Sequence, residues 1–233
     1  MRGLTVVFDL DGTLVDTAPD LVGATNHALA DLGLAPVDAG TLRPWISFGA
    51  RRMIVEALAA HGRSLPDPDV DRLLDRFIGY YEVNIARESR PYPGVVETVA
   101  MLRDEGATLA VCTNKRESLS RLLLDALALT PHFAGLAGRD TFLVSKPHPD
   151  HLYGAIRLAG GDPGRAVMVG DSDVDVATAK AAGIPVVAVS FGYTQVPVHD
   201  LAADVVIDHY RELPAAIAGL AGLNPILRPI LRP

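Results

Sequence analysis

Cysteine is almost missing from this chain. Cys112 is alone among 233 residues, which excludes an internal disulfide and fits a reducing cytoplasm. It falls in an apolar strand pattern and reads as a packing residue rather than a nucleophile. Lysine is also scarce: Lys115, Lys146 and Lys180 are the only lysines among 21 Lys and Arg residues, and the net charge is −7. With no long basic run, a nucleic-acid groove is excluded as a partner surface. No apolar run reaches the roughly 18 residues of a membrane span, and no signal-peptide pattern is visible. What remains is ordinary globular composition, 49% hydrophobic and 21% charged. The length suits one good core and a smaller companion domain.

The segment Leu4-Thr5-Val6-Val7-Phe8 is nearly continuous in apolar character, as strands covered on both faces are. From about Pro93 helical patterns alternate with short apolar strands. The spacing predicts a helix over 94–105, a strand over 108–112 and a helix over 117–128. It then predicts a strand over 166–169, a helix over 174–182, a strand over 185–189 and a short strand over 205–207. Such alternation implies an α/β fold with a doubly wound parallel sheet, Rossmann-like in plan. Residues 17–88 break the rhythm, because they carry only helical patterns (21–32, 49–61, 70–85). They read as an inserted all-helical domain, re-entering through Arg90-Pro91-Tyr92-Pro93-Gly94, whose prolines suit a hinge. The expected division is a discontinuous core, 1–16 and 89–223, a helical insertion over 17–88, and a tail over 224–233. In the tail the Ile-Leu-Arg-Pro repeat forbids a helix and predicts an extended segment.

Chemistry collects where these strands end. Asp9 and Asp11 lie two positions apart where the first strand meets a glycine turn, a poor place for buried charge unless a cation is nearby. Open α/β sheets bind their ligands at the carboxyl ends of strands. Asp16, further along, reads as a cap or turn residue. The strand ending at Cys112 is followed by Thr113-Asn114, a hydroxyl and an amide suited to a phosphoryl oxygen. Ser145-Lys146-Pro147-His148 places an ammonium where it can offset carboxylates and a phosphate together; His148, between prolines, reads as a surface residue. Gly170-Asp171-Ser172-Asp173-Val174-Asp175 brings Asp171 and Asp175 to one side of a helix start, with Asp173 as the capping or surface member. Carboxylates and oxygen donors with one ammonium, and no histidine or thiolate ligands, favour Mg²⁺ over zinc.

The stretch from Phe8 to Thr17, with Thr113, Lys146-Pro147-His148-Pro149 and Asp171/Asp175 in that order, resembles the four motifs of the haloacid dehalogenase-like phosphohydrolases with helical caps. The resemblance implies that Asp9 attacks phosphorus and that Asp11 protonates the leaving group and then activates water. It also implies that Thr113, Asn114 and Lys146 hold the phosphoryl group. By the same resemblance Mg²⁺ is ligated by the Asp9 carboxylate, the Asp11 backbone carbonyl and the Asp171 carboxylate, while Asp175 stands behind them and orients Lys146 or a metal-bound water. The insertion becomes a cap that closes over the site.

The segment from Leu42 to Arg52, with the chain's single tryptophan, Trp45, is similar to the specificity loop of the bacterial phosphoglycolate phosphatases within that family. It departs from them at Ser47-Phe48, where glycine and a small or polar residue are commoner. Arg43 is the candidate for a substrate carboxylate, since guanidinium binds carboxylates bidentately. A phosphonate-cleaving relative needs a cap lysine, and residues 17–88 contain none; a dehalogenase lacks the second loop aspartate, which is present as Asp11. The sequence therefore points to a cytoplasmic, Mg²⁺-dependent hydrolase of a small phosphorylated metabolite, monomeric or homodimeric, with 2-phosphoglycolate the leading substrate. A β-phosphoglucomutase-like sugar mutase, a pyrophosphatase and a non-catalytic phosphate-binding module are the alternatives.

Overall fold

The computed structural model describes residues 1–223. In chain order it contains β1 (Thr5–Phe8), β2 (Val15–Asp16), α1 (Ala18–Ala30), α2 (Ala39–Leu42), a 3-10 segment Arg43–Phe48, α3 (Ala50–Ala60) and α4 (Asp67–Val83). Then follow β3 (Arg90–Pro91), α5 (Val95–Asp104), β4 (Thr108–Cys112), α6 (Glu117–Ala126), β5 (Gly135–Ala137) and α7 (Pro149–Leu158). The chain continues through β6 (Ala166–Gly170), α8 (Asp173–Ala181), β7 (Val186–Val189), β8 (Val205–Ile207) and α9 (Leu213–Leu223). The tail over 224–233 lies outside the described residues.

Six strands pair in parallel in the order β5-β4-β1-β6-β7-β8. Counted along the sheet-forming strands this is 3-2-1-4-5-6, the doubly wound order whose reversal lies beside β1. Strand β1 is central, with Val7 opposite Ala110 of β4 and Met168 of β6. Its alternating side chains serve both faces: Val6 and Phe8 join one apolar cluster, Val7 the other. This double coverage explains the unbroken apolar reading of the first strand. Short β5 and helix α7 go beyond the expected pattern. Three residues beginning with glycine give β5 no period to detect, and α7 starts at Pro149 inside a segment read as a motif loop.

Helices α1, α3 and α4 pack around a separate apolar cluster that includes Met53, Ile54, Phe77 and Tyr81. Where the chain leaves and re-enters the sheet layer, β2 and β3 form a two-residue antiparallel ribbon, with Val15 opposite Pro91 and Asp16 opposite Arg90. The buried Asp20 of α1 ties down the returning chain by accepting from Ser89 N (2.8 Å), Ser89 Oγ (2.6 Å) and Glu88 N (3.0 Å). The expected proline hinge is thus a hydrogen-bonded ribbon. No helix among the described residues is long and apolar enough to cross a membrane.

Candidate active site

Three central strands deliver their next residues to one crevice. Asp9 follows β1, Thr113 follows β4 and Asp171 follows β6, and all three are buried. Directly after Asp11, Gly12 adopts φ +84°, and a β-carbon there would stand 2.4 Å from Asp171 Oδ2. Only glycine lets the turn pass so close to the carboxylate.

Lys146 arrives from the loop before α7. Its Nζ donates to Asp175 Oδ1 at 2.6 Å and lies 2.9 Å from Asp9 Oδ1. The second contact is a buried ion pair, and among the described residues Asp9 Oδ1 has no donor besides the Lys146 ammonium. Asp175 Oδ2 accepts from Asp171 N, Ser172 N and Ser172 Oγ (3.2, 3.1 and 2.7 Å), closing the first turn of α8. The capping at this helix start is therefore done by Ser172 and Asp175. Asp173 is exposed and takes only the surface half of its expected role.

Asp171 Oδ1 accepts from Thr13 Oγ1 (3.0 Å), and Oδ2 from Tyr193 N (2.6 Å). Tyr193 then reaches the ribbon: its hydroxyl accepts from Thr17 N and Ala18 N (2.7 and 3.0 Å) and donates to Asp16 Oδ1 (2.6 Å). Asp16 is consequently an acceptor for Tyr193 rather than a helix cap.

Three buried carboxylates around one ammonium leave an excess of negative charge. Burial pushes Asp9 up to about 7, against the pull of Lys146 and with help from Asp175. Burial, then Asp175 and Asp9, holds Asp171 well above the usual carboxylate range. Burial alone would lower the Lys146 ammonium, but Asp175 and Asp9 carry it above its ordinary value. Oxygens of Asp9, Asp171 and Asp175 lie within 4.8 Å of one another. A cluster short of positive charge and made only of oxygen donors fits a hard divalent cation.

Asp11 faces a second lysine. Lys115 Nζ sits 2.9 and 3.2 Å from its two oxygens and 4.5 Å from the centre of the Tyr81 ring of α4. Burial would lower this ammonium, and Asp11 followed by Tyr81 raises it. Thr113 Oγ1 accepts from Lys115 N (3.2 Å), leaving its own proton free to donate. Asn114 Nδ2 bridges Lys146 O and Ser47 O (3.2 and 3.4 Å).

Behind Lys146, buried His151 accepts from Lys146 N at Nδ1 (3.1 Å) and faces Gly138 O with Nε2 (3.0 Å). Burial lowers it to about 4, so the ring is neutral, with its proton on Nε2. Cys112 Sγ packs 3.5 Å from the same ring and is pushed up to about 12 by burial, as befits a packing residue. His148 is exposed and caps α7, accepting from Asp150 N at 3.2 Å.

A cavity of about 390 Å³ opens over Asp9, Asp11 and Thr113, walled on the helical side by Leu21, Met53, Phe77 and Tyr81. Arg43 does not line it. Its guanidinium stacks on Tyr193, 4.9 Å from the ring centre, and stands 4.0 Å from Asp16. The basic residues on the cavity wall are instead Lys115, Arg51, Arg116 and Arg139. Lys115 directly follows Thr113-Asn114 in the sequence, and its partner Asp11 is 104 positions away. Its only sequence signal was lysine scarcity.

The model of the haloacid dehalogenase-like hydrolases matches residues 6–189, a span running from β1 to the end of β7. The chain belongs to the haloacid dehalogenase-like hydrolases. Within that family it is 53% identical over 213 residues to a phosphoglycolate phosphatase of Mesorhizobium japonicum, covering 91% of this chain and 94% of that protein. It is 49% identical over 211 residues to a phosphoglycolate phosphatase of Agrobacterium fabrum, covering 91% of each. The crystal structure of a predicted phosphoglycolate phosphatase from Haemophilus somnus superposes with a TM-score of 0.85 at 31% identity, covering 92% of this chain and 97% of that one. The chain is a haloacid dehalogenase-like enzyme of the phosphomonoester hydrolase type.

Proposed function

We propose that this hydrolase is a Mg²⁺-dependent phosphoglycolate phosphatase, cleaving 2-phosphoglycolate to glycolate and phosphate through an aspartyl-phosphate on Asp9. The observation that carries the reading is the buried Asp9 carboxylate on the cavity wall, with one oxygen 2.9 Å from Lys146 Nζ and its oxygens clustered with those of Asp171 and Asp175. The names of the relatives support the substrate. The reading also makes 17–88 a cap domain over a core of 1–16 and 89–223, and places the enzyme in the cytoplasm.

The Asp9 carboxylate, the Asp11 backbone carbonyl and the Asp171 carboxylate would hold the cation, which when bound offsets the charge of a phosphate approached by a carboxylate. Thr113 Oγ1, with its lone pair already engaged by Lys115 N, donates its proton to a phosphoryl oxygen. Lys146 neutralises the same group while Asp175 and the His151 contact to its backbone fix its position. An oxygen of Asp9 forms the new bond to phosphorus as the ester P–O bond breaks. Asp11, ion-paired with Lys115 in the free protein, takes up the proton that a phosphate monoanion brings on binding, gives it to the departing alkoxide, and then takes one from the water that attacks phosphorus and frees Asp9. The apolar wall of Leu21, Met53, Phe77 and Tyr81 limits stray water during the first half.

A panel of 2-phosphoglycolate, other phosphorylated acids, sugar phosphates and pyrophosphate, assayed for free phosphate with Mg²⁺, tests the reading. The expected result is phosphate release with the highest kcat/KM on 2-phosphoglycolate. A folded, Mg²⁺-supplied sample that releases none from any of them would reject a phosphatase. Interconversion of sugar 1- and 6-phosphates without free phosphate would replace it with a mutase.

A further inference from the structure

The phosphoryl site leaves part of the cavity's polar wall unused. Helix α3, 11 residues long, begins at Gly49 with no side-chain cap and no acidic residue in its first turn. Gly49 O takes Arg52 N and Met53 N (3.0 and 3.2 Å), so the amides of Ala50 and Arg51, both on the cavity wall, have no helical acceptor. Just before them Ser47, 8% exposed, lines the same cavity, and its buried Oγ has no hydrogen-bond partner among the described residues. From the opposite wall, in the loop after β5, Arg139 reaches across. A β-carbon on Gly49 would lie 3.4 Å from its Nη1.

Two other charges at this rim are engaged, while Arg116 on the same wall is, like Arg139, without a carboxylate partner among the described residues. Arg51 pairs with Asp67 and Asp71 (2.8 and 3.3 Å), and Asp140 accepts from Glu117 N (2.8 Å). The Arg139 guanidinium has no carboxylate partner among the described residues. A hydroxyl without a partner, two free amides and a planar guanidinium fork converge as donors with no acceptor, the complement of a carboxylate.

We propose that Ser47 Oγ, the α3 amides and Arg139 form a second anion subsite that takes the carboxylate at the non-transferred end of the substrate. This deepens, and rests on, the phosphatase reading, and makes short phosphorylated carboxylic acids the substrate class. Because Ser47 and α3 belong to the helical insertion and Arg139 to the sheet layer, the carboxylate is gripped only when the two walls are together. Arg139 thereby takes the part that Arg43 was expected to play.

Two non-hydrolysable probes separate this subsite from the phosphoryl site: 3-phosphonopropionate, which carries the carboxylate, and propylphosphonate, which ends in a methyl group. Affinities are measured by calorimetry with Mg²⁺. The wild-type protein is expected to prefer 3-phosphonopropionate by about tenfold or more, the scale of a desolvated charge-assisted contact. Arg139→Gln, a change at an exposed position that leaves the fold intact, brings that preference down to about threefold or less, and Ser47→Ala lowers it partway. Equal binding of the two probes to the wild type, or a preference that survives Arg139→Gln, overturns the subsite while leaving the phosphoryl site standing. Failure of both probes to bind overturns the phosphoryl reading and the subsite together.

Discussion

Replacing Lys115 by Met removes one partner of a buried ion pair while keeping the length of its stem. The Lys115 side chain is 5% exposed and that of Asp11 11%, with the Tyr81 ring covering the ammonium. Removing one member of such a pair costs about 3–5 kcal/mol, because the other is left as an uncompensated buried charge. Asp11 borders the cavity and can recruit water, which places the cost near the lower end, about 3 kcal/mol. For a chain of this size each kcal/mol lowers the midpoint by about 2–4 °C, so a fall of roughly 6–12 °C is expected. The double variant Lys115→Met/Asp11→Asn removes both charges and recovers about half of the loss or more, giving a coupling of about 1.5 kcal/mol or more. Urea and thermal unfolding of wild type, both single variants and the double variant close the cycle. A loss below about 1 kcal/mol in Lys115→Met, or strict additivity in the double variant, would refute the buried pairing.

Three other outcomes follow from the site. Tyr193→Phe deprives Thr17 N, Ala18 N and Asp16 of a shared buried partner and should cost about 1–3 kcal/mol in denaturant unfolding, while the Asp171 contact, made by the backbone amide of residue 193, persists. The raised Asp9 makes the folded, metal-free protein bind more protons than the unfolded chain from about pH 4 to about 7, so its stability should fall as pH rises through that window. Adding Mg²⁺ should flatten that slope and release protons, seen by comparing melts in chelator and in Mg²⁺; a slope of opposite sign in chelator would contradict the assignment. Asp11→Asn should lower turnover by about a hundredfold or more, as expected for loss of a proton-transfer group, yet still accept a phosphoryl group from an aryl phosphate, whose leaving group needs no proton; steady-state rates and acid-quench labelling check the two halves.

Residues announced by local sequence were legible before the fold was known. Asp9/Asp11 stood out as charge at the end of an apolar strand, Asp171/Asp175 as a helix start after another, and Lys146 as a proline-flanked cation in a lysine-poor chain. The structure brings Asp9, Asp171, Asp175 and Lys146 into one buried cluster. What escaped depends on contacts across the chain. Lys115 has meaning only beside Asp11 and Tyr81, Tyr193 only because the loop after β7 passes between Asp171 and the ribbon. His151 is significant only through the backbone of Lys146. Arg43 stood out by its guanidinium and its place in the loop similar to a specificity loop, and packing on Tyr193 keeps it off the cavity wall. Similarly β2 and β3, two residues each, are strands only because they pair with each other.

The central claim is covalent catalysis by Asp9, and the direct measurement is a rapid acid quench during turnover of 2-phosphoglycolate, with reductive trapping of the acyl phosphate and peptide mass spectrometry. The account predicts trapped label on the peptide carrying residue 9 in the wild type and none in Asp9→Asn, whose turnover should vanish. Label on another residue would contradict it, as would Asp9→Asn turning over at a tenth of the wild-type rate, a barrier change of only about 1.4 kcal/mol.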